Sequence, residues 1–183
     1  AASASGNAGL QSMGQYLGYA NSLANFAGAF ERGDDLSAFM SGASMVRQYV
    51  QSQASTALKT LSETIKKGPL GTRLAELVFL RVSQINGCAY CMDMHWHVLV
   101  KNGMEPRHLN AVAGWREAPF FSDRDRAALR WAEILIATPN SDASDEEFAR
   151  LQAVFSQAEI SELGFAVGVI NAWNLVNAGM RAP

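Results

Sequence analysis

Apolar residues recur at helical spacing along most of the chain. Leu10, Met13, Leu17, Ala20, Leu23 and Phe30, with Phe26 among them, form a first stripe. Gly33 and Asp34 interrupt it, and Asp34 or Asp35 is placed to cap the next helix. Leu36, Phe39, Met40, Val46, Tyr49 and Val50 continue the stripe, then Leu58, Leu61 and Ile65. Two or three helices are predicted before residue 69. Lys66-Lys67-Gly68-Pro69 is a breaker, with basic residues where a helix C-terminus favours them. The next helix reads from Leu70 to Gln84, with Leu74, Leu77, Val78, Arg81 and Ile85 along one side, and Asn86-Gly87 ends it. A helix from Cys88 to about Lys101 stops at Asn102-Gly103, and Pro106 opens another to about Trp115. Ser122 with Asp125, Ser144 with Glu147 and Ser156 with Glu159 each have capping-box spacing. They predict helices reaching about Leu135, Phe155 and Gly179. No run alternates with period two, so the predicted fold class is all-α. Residues 57–183 read as a core domain. Residues 1–56 read as a helical N-terminal extension, packed on that core or on a neighbouring subunit.

Composition narrows the function classes. At 49% apolar the 183-residue chain is too hydrophobic to be disordered and long enough for one sizeable core. A net charge of −2 without a basic stripe argues against nucleic acid as a partner. No uninterrupted apolar run approaches the roughly 20 residues of a membrane span. The start, Ala-Ala-Ser-Ala-Ser-Gly, fits either an arbitrary boundary or the small-residue scar of a cleaved signal peptide. A cytoplasmic location is the expectation, an exported form the alternative. The first 50 residues carry only five charges, an apolar surplus that suits a subunit interface.

The two cysteines, Cys88 and Cys91, lie too close in sequence to staple a scaffold. Cys88 follows a turn and opens a helix, where unpaired N–H groups and the dipole favour an anion. Such a setting lowers a thiol from about 8.5 to about 7 or below, so that half or more is thiolate. At about 100° per residue, Cys91 lies roughly 60° and His95 roughly 20° from Cys88, while His97 lies roughly 180° away. His95 can therefore reach Cys91, one turn back, and His97 cannot. Glu76, among Leu74, Leu77, Val78 and Phe79 on the preceding helix, needs a partner if buried. His95 is one candidate, giving a thiol, a base and a group that orients the base. Arg73 and Arg81 are the alternative partners. A structural zinc site is a weaker reading, because three ligands from one helical face leave a four-ligand shell incomplete.

The stretch from Glu76 through Arg81-Val-Ser-Gln-Ile-Asn-Gly-Cys88-Ala-Tyr-Cys91 to Asp93-Met-His95 closely resembles the AhpD-like alkylhydroperoxidase and carboxymuconolactone decarboxylase family. Gly-Trp-Arg-Glu at 114–117, Phe-Ser-Asp-Arg-Asp at 121–125 and Ile-Asn-Ala-Trp-Asn at 170–174 extend the likeness over roughly 57–181. The resemblance implies an all-α AhpD-like bundle, a homo-oligomer (often a trimer or hexamer), and a thiol peroxidase for alkyl hydroperoxides or hydrogen peroxide. It makes Cys91 the attacking sulfur and Cys88 the resolving one, with His95 and Glu76 as proton relay. Dipole reasoning alone would favour Cys88. No bound cofactor is implied; an external dithiol, thioredoxin or lipoyl-type reductant would close the cycle. The cysteine pair argues against lactone decarboxylation. Tyr90 stands where some peroxidase members have His. That departure keeps two alternatives open: a thiol–disulfide oxidoreductase with little peroxidase activity, and a redox-responsive oligomer.

Overall fold

The computed structural model describes residues 35–140 and 143–180, so the stripe from Leu10 to Phe30 lies outside the described residues. The chain divides into two compact units, residues 1–57 and 58–183. The helices are α1 (Asp35–Lys67), α2 (Gly71–Asn86), α3 (Ala89–Lys101), α4 (Pro106–Asn110), α5 (Asp123–Ile136), α6 (Asp145–Gln152) and α7 (Gln157–Met180). Among the described residues there is no strand, and the fold is the all-α bundle that the resemblance implies.

The stripes from Leu36 to Val50 and from Leu58 to Ile65 lie on one helix of 33 residues, Asp35 to Lys67, which opens at the expected capping position. Gly and Ser lower helix propensity by at most about 1 kcal/mol each, and no proline interrupts the ladder before Pro69. The hydroxyls of Thr56, Ser62 and Thr64 bond carbonyls four residues back, which leaves the backbone pattern intact. The turn after α1 sits tightly against α7. Glu162 accepts the Leu70 backbone N–H at 2.8 Å. A Cβ on Gly68 would stand 1.8 Å from the Glu162 carboxylate, so a side chain there would have to push that carboxylate off the Leu70 N–H.

The second unit is organised around α2, which packs against α3, α5 and α7. The sequence pattern marks one apolar side on α2, but burial runs nearly all round, from Leu74 to Leu80 and on to Val82 and Ser83. Ile85, expected on the buried side, is exposed. Three neighbours, rather than one, explain the difference. Leu99, Leu109, Leu129, Leu151, Leu163 and Ile170 fill the spaces between helices. Each such side chain contributes roughly 1.5–3 kcal/mol when fully buried. The helix expected from Pro106 to Trp115 ends at Asn110 and tightens into a 3₁₀ turn, Val112–Gly114, as Gly114 N–H bonds the Ala111 carbonyl.

Capping follows the sequence in two of three places. Ser122 and Asp125 form the full reciprocal box at α5, with bonds of 3.2 and 3.1 Å. Ser156 and Glu159 do the same at α7, and the Ser156 backbone N–H with Arg124 holds the Glu159 carboxyl down to about 2. At α6 only half the box forms. Ser144 accepts from the Glu147 N–H, but the Glu147 carboxylate turns to Arg130 instead.

Asp125 carries two duties, since it also takes both guanidinium nitrogens of Arg73 at 2.8 Å. Burial by itself would raise its carboxyl, but Arg73 and Ser122 outweigh burial and hold it below the ordinary 3.8. The ionised form is therefore tied to the fold: its contribution is complete above about pH 4 and is lost as pH falls through the lowered value. Asp125→Asn should cost about 2 kcal/mol at neutral pH in urea unfolding. The gap to wild type should narrow on acidification below pH ~4.

Candidate functional site

A Schellman turn links α2 to α3. Gly87, at φ 69°, sends its N–H to the Gln84 carbonyl, and the Cys88 N–H bonds the Ser83 carbonyl. Gly87 adopts a left-handed conformation that a side chain would strain. The turn delivers Cys88 as the N-cap of α3, its backbone extended, its sulfur accepting the Cys91 N–H at 3.4 Å. Cys88 and Cys91 are joined as a disulfide, with Cα atoms 5.3 Å apart. Cys88 is 9% exposed and Cys91 1%, so both are buried and the first is the more accessible of the two.

His95 sits one turn after Cys91 and is buried with it. His97 is on the other side of α3, exposed, and bonded to the carbonyl and carboxylate of Asp93. The helical-face expectation thus sorts the two histidines as the structure does. Glu76 reaches across from α2: its Oε2 lies 2.6 Å from His95 Nδ1. The alternative partners are engaged elsewhere, Arg73 with Asp125 and Arg81 with Glu133. The Phe79 ring packs on the imidazole at 5.2 Å between centroids and limits its rotation.

Two features of this cluster carry chemistry. A carboxylate at Nδ1 accepts a hydrogen bond from the Nδ1–H of the neutral ring and leaves the Nε2 lone pair free. Nε2 is buried and has no hydrogen-bond partner. Buried polar atoms are normally paired, so an unpaired one at the base of a cysteine helix is a place for an incoming proton.

Sequence reasoning missed two residues. Lys66, read as a helix-end charge, reaches the second oxygen of Glu76 at 3.2 Å and Glu63 at 2.6 Å. Burial would lower its ammonium, but the Glu63 hydrogen bond and the Glu76 charge raise it above the ordinary value. Asn177, on α7, places its amide nitrogen 3.2 Å from Cys91 Sγ. A signal for it exists in the sequence: Asn171, Asn174 and Asn177 recur in an apolar helix, where each needs a partner. Asn86 donates to Asn171 and Asn174, and Asn174 donates to Ser83, so the first two stitch α7 to the end of α2. Tyr90 projects into solvent, 51% exposed, between the two cysteines.

Known proteins share this arrangement of helices. Residues 53–133 match the model of the carboxymuconolactone decarboxylase family, a span that holds Lys66, Glu76, both cysteines and His95. An uncharacterized Bacillus subtilis protein, YdfG, is 30% identical over 115 residues, which is 63% of this chain and 78% of that protein. An Agrobacterium tumefaciens structure of unknown function, described as a putative antioxidant defence protein AhpD, superposes with a TM-score of 0.69 at 34% identity. That match covers 74% of this chain and 94% of the other. The debrominase Bmp8, in complex with 2,3,4-tribromopyrrole, has a TM-score of 0.65 at 20% identity over 74% and 73% of the two chains, a likeness of fold alone.

Lys66→Met should strand the buried Glu76 oxygen and cost about 1–3 kcal/mol in denaturant unfolding at neutral pH. Because the ammonium is raised, its contribution is present below about pH 10 and fades as pH rises through the raised value. The wild-type and variant curves should therefore converge at strongly alkaline pH.

Proposed function

Since the chain belongs to the carboxymuconolactone decarboxylase family, on its AhpD-like side, we propose that it is a thiol peroxidase acting on alkyl hydroperoxides or hydrogen peroxide. The observation that carries this reading is the buried, unpartnered His95 Nε2, its other nitrogen bonded to Glu76, one helical turn from Cys91.

In this mechanism His95 Nε2 takes the Cys91 thiol proton, and Glu76 steadies the imidazolium through Nδ1. Lys66 keeps Glu76 paired on its other side. The Cys91 thiolate attacks the terminal peroxide oxygen. The S–O bond forms, the O–O bond breaks, and the departing alkoxide takes the proton back from His95. Cys91 is left as a sulfenic acid. The Cys88 thiol condenses with it to give the disulfide and water. An external dithiol, thioredoxin-like or lipoyl-bearing, returns two electrons and two protons and is itself oxidised to a disulfide. Cys88, nearer the surface, is the sulfur such a reductant can reach. The protein needs no cofactor of its own in this cycle.

A second reading, a thiol–disulfide oxidoreductase with little peroxidase activity, is favoured by Tyr90. Its exposed ring beside the disulfide suits a docking protein more than a proton donor. Turnover of a disulfide substrate against turnover of a hydroperoxide separates the two.

The decisive measurement is peroxide consumption with dithiothreitol, thioredoxin or a lipoyl protein as reductant. Cys91→Ser should abolish it. Cys88→Ser should form one sulfenate, seen by mass spectrometry on Cys91, and then stop. His95→Ala should lose roughly 10²–10⁴-fold, the range of a general acid–base group. His97→Ala should lose little. Peroxide untouched with all three reductants would overturn the peroxidase reading, and equal losses from the two histidine variants would overturn the relay.

A further inference from the structure

We propose that Asn177 is a catalytic residue: its side-chain amide donates to Cys91 Sγ and makes that sulfur, rather than Cys88, the readier thiolate. The inference rests on the assignment of Cys91 as attacking sulfur and supplies a physical cause for it.

Two effects conflict at the cysteine turn. The N-terminus of α3 points its free N–H groups and its dipole at Cys88, which also receives the Cys91 backbone N–H. On the dipole alone Cys88 would ionise first. Cys91 lies one turn inside the helix and is 1% exposed, so water cannot solvate an anion there, and burial raises a thiol. A thiolate at Cys91 needs a donor from the protein. Asn177 Nδ2, at 3.2 Å, is such a donor, alongside the His95 imidazolium of the proposed relay. A disulfide sulfur or a thiolate can only accept, so the amide must present nitrogen, not oxygen, to it. In the disulfide the donor already stands beside the sulfur on which the charge develops when the bond is reduced.

The rest of α7 holds Asn177 to this task. Asn174, one turn earlier, donates to Ser83 at 3.1 Å and accepts from Asn86 at 2.9 Å. Both Ser83 and Asn174 are buried. Ser83 also gives its backbone carbonyl to the Cys88 N–H, so the turn that aims the cysteines and the clamp that aims Asn177 share a residue.

The test titrates each sulfur alone. Cys91 is followed in Cys88→Ser and Cys88 in Cys91→Ser, by thiolate absorbance and by the pH dependence of iodoacetamide alkylation. Adding Asn177→Ala should move the Cys91 titration up by about one unit, a tenfold loss of thiolate below it, and leave Cys88 unmoved. Asn177→Asp, the same shape with a repelling charge, should move Cys91 further, and it replaces Asn177→Ala if that variant fails to fold by circular dichroism. A Cys91 titration unmoved by either change, or equal shifts at both sulfurs, would overturn the proposal. No peroxide enters the measurement, so a protein inert to peroxides would still display the shift, and the two readings fail separately.

Discussion

A carboxylate on the most enclosed helix of the core sets the terms for everything around it. Glu76 sits at 1% exposure on α2, with apolar neighbours on both sides. Moving such an ion out of water costs several kcal/mol unless its oxygens are satisfied. Both are: one by the Lys66 ammonium, the other by the His95 ring. Each partner comes from a different helix, so the last turn of α1 and the middle of α3 are committed to one position on α2. The charge that would be a liability in a core of this kind becomes the reason three helices meet in a fixed register.

That register is what gives the sulfurs their surroundings. The left-handed Gly87 ends α2 and starts α3 within two residues, which brings Cys88 to the N-cap of α3 and Cys91 into its first turn. From the far side α7 closes over the same turn. Both cysteines are buried, Cys91 almost completely and Cys88 slightly less so. Burial and the Asn177 amide give two chemically identical side chains different surroundings.

Much of this was legible in the sequence because it is local. The Asn86-Gly87 break, the Ser122 and Ser156 caps and the opposite faces of His95 and His97 all arise from short-range geometry, and the structure has each of them. What was not legible arises from packing. Lys66 precedes a helix-breaking turn, and only the folding back of that turn brings it to Glu76 ten residues on. Asn177 meets Cys91 across 86 residues of chain. The all-round burial of α2 escaped a reading that looks for one apolar side, since three neighbours make every side a buried one. The half-formed cap at Ser144 failed because Arg130, from another helix, offered Glu147 a charged partner in place of a backbone N–H.

The joint between α2 and α7 is made of Asn86, Asn171, Asn174 and Ser83, none of which gains or loses a charge at ordinary acidity. The groups beside it, Lys66, Glu76 and His95, are joined instead through a carboxylate. Frame and ionisable cluster are thus built from different chemical stock. The stitching of the two helices therefore carries no charge that a change of acidity could remove, and the amide beside Cys91 is equally neutral.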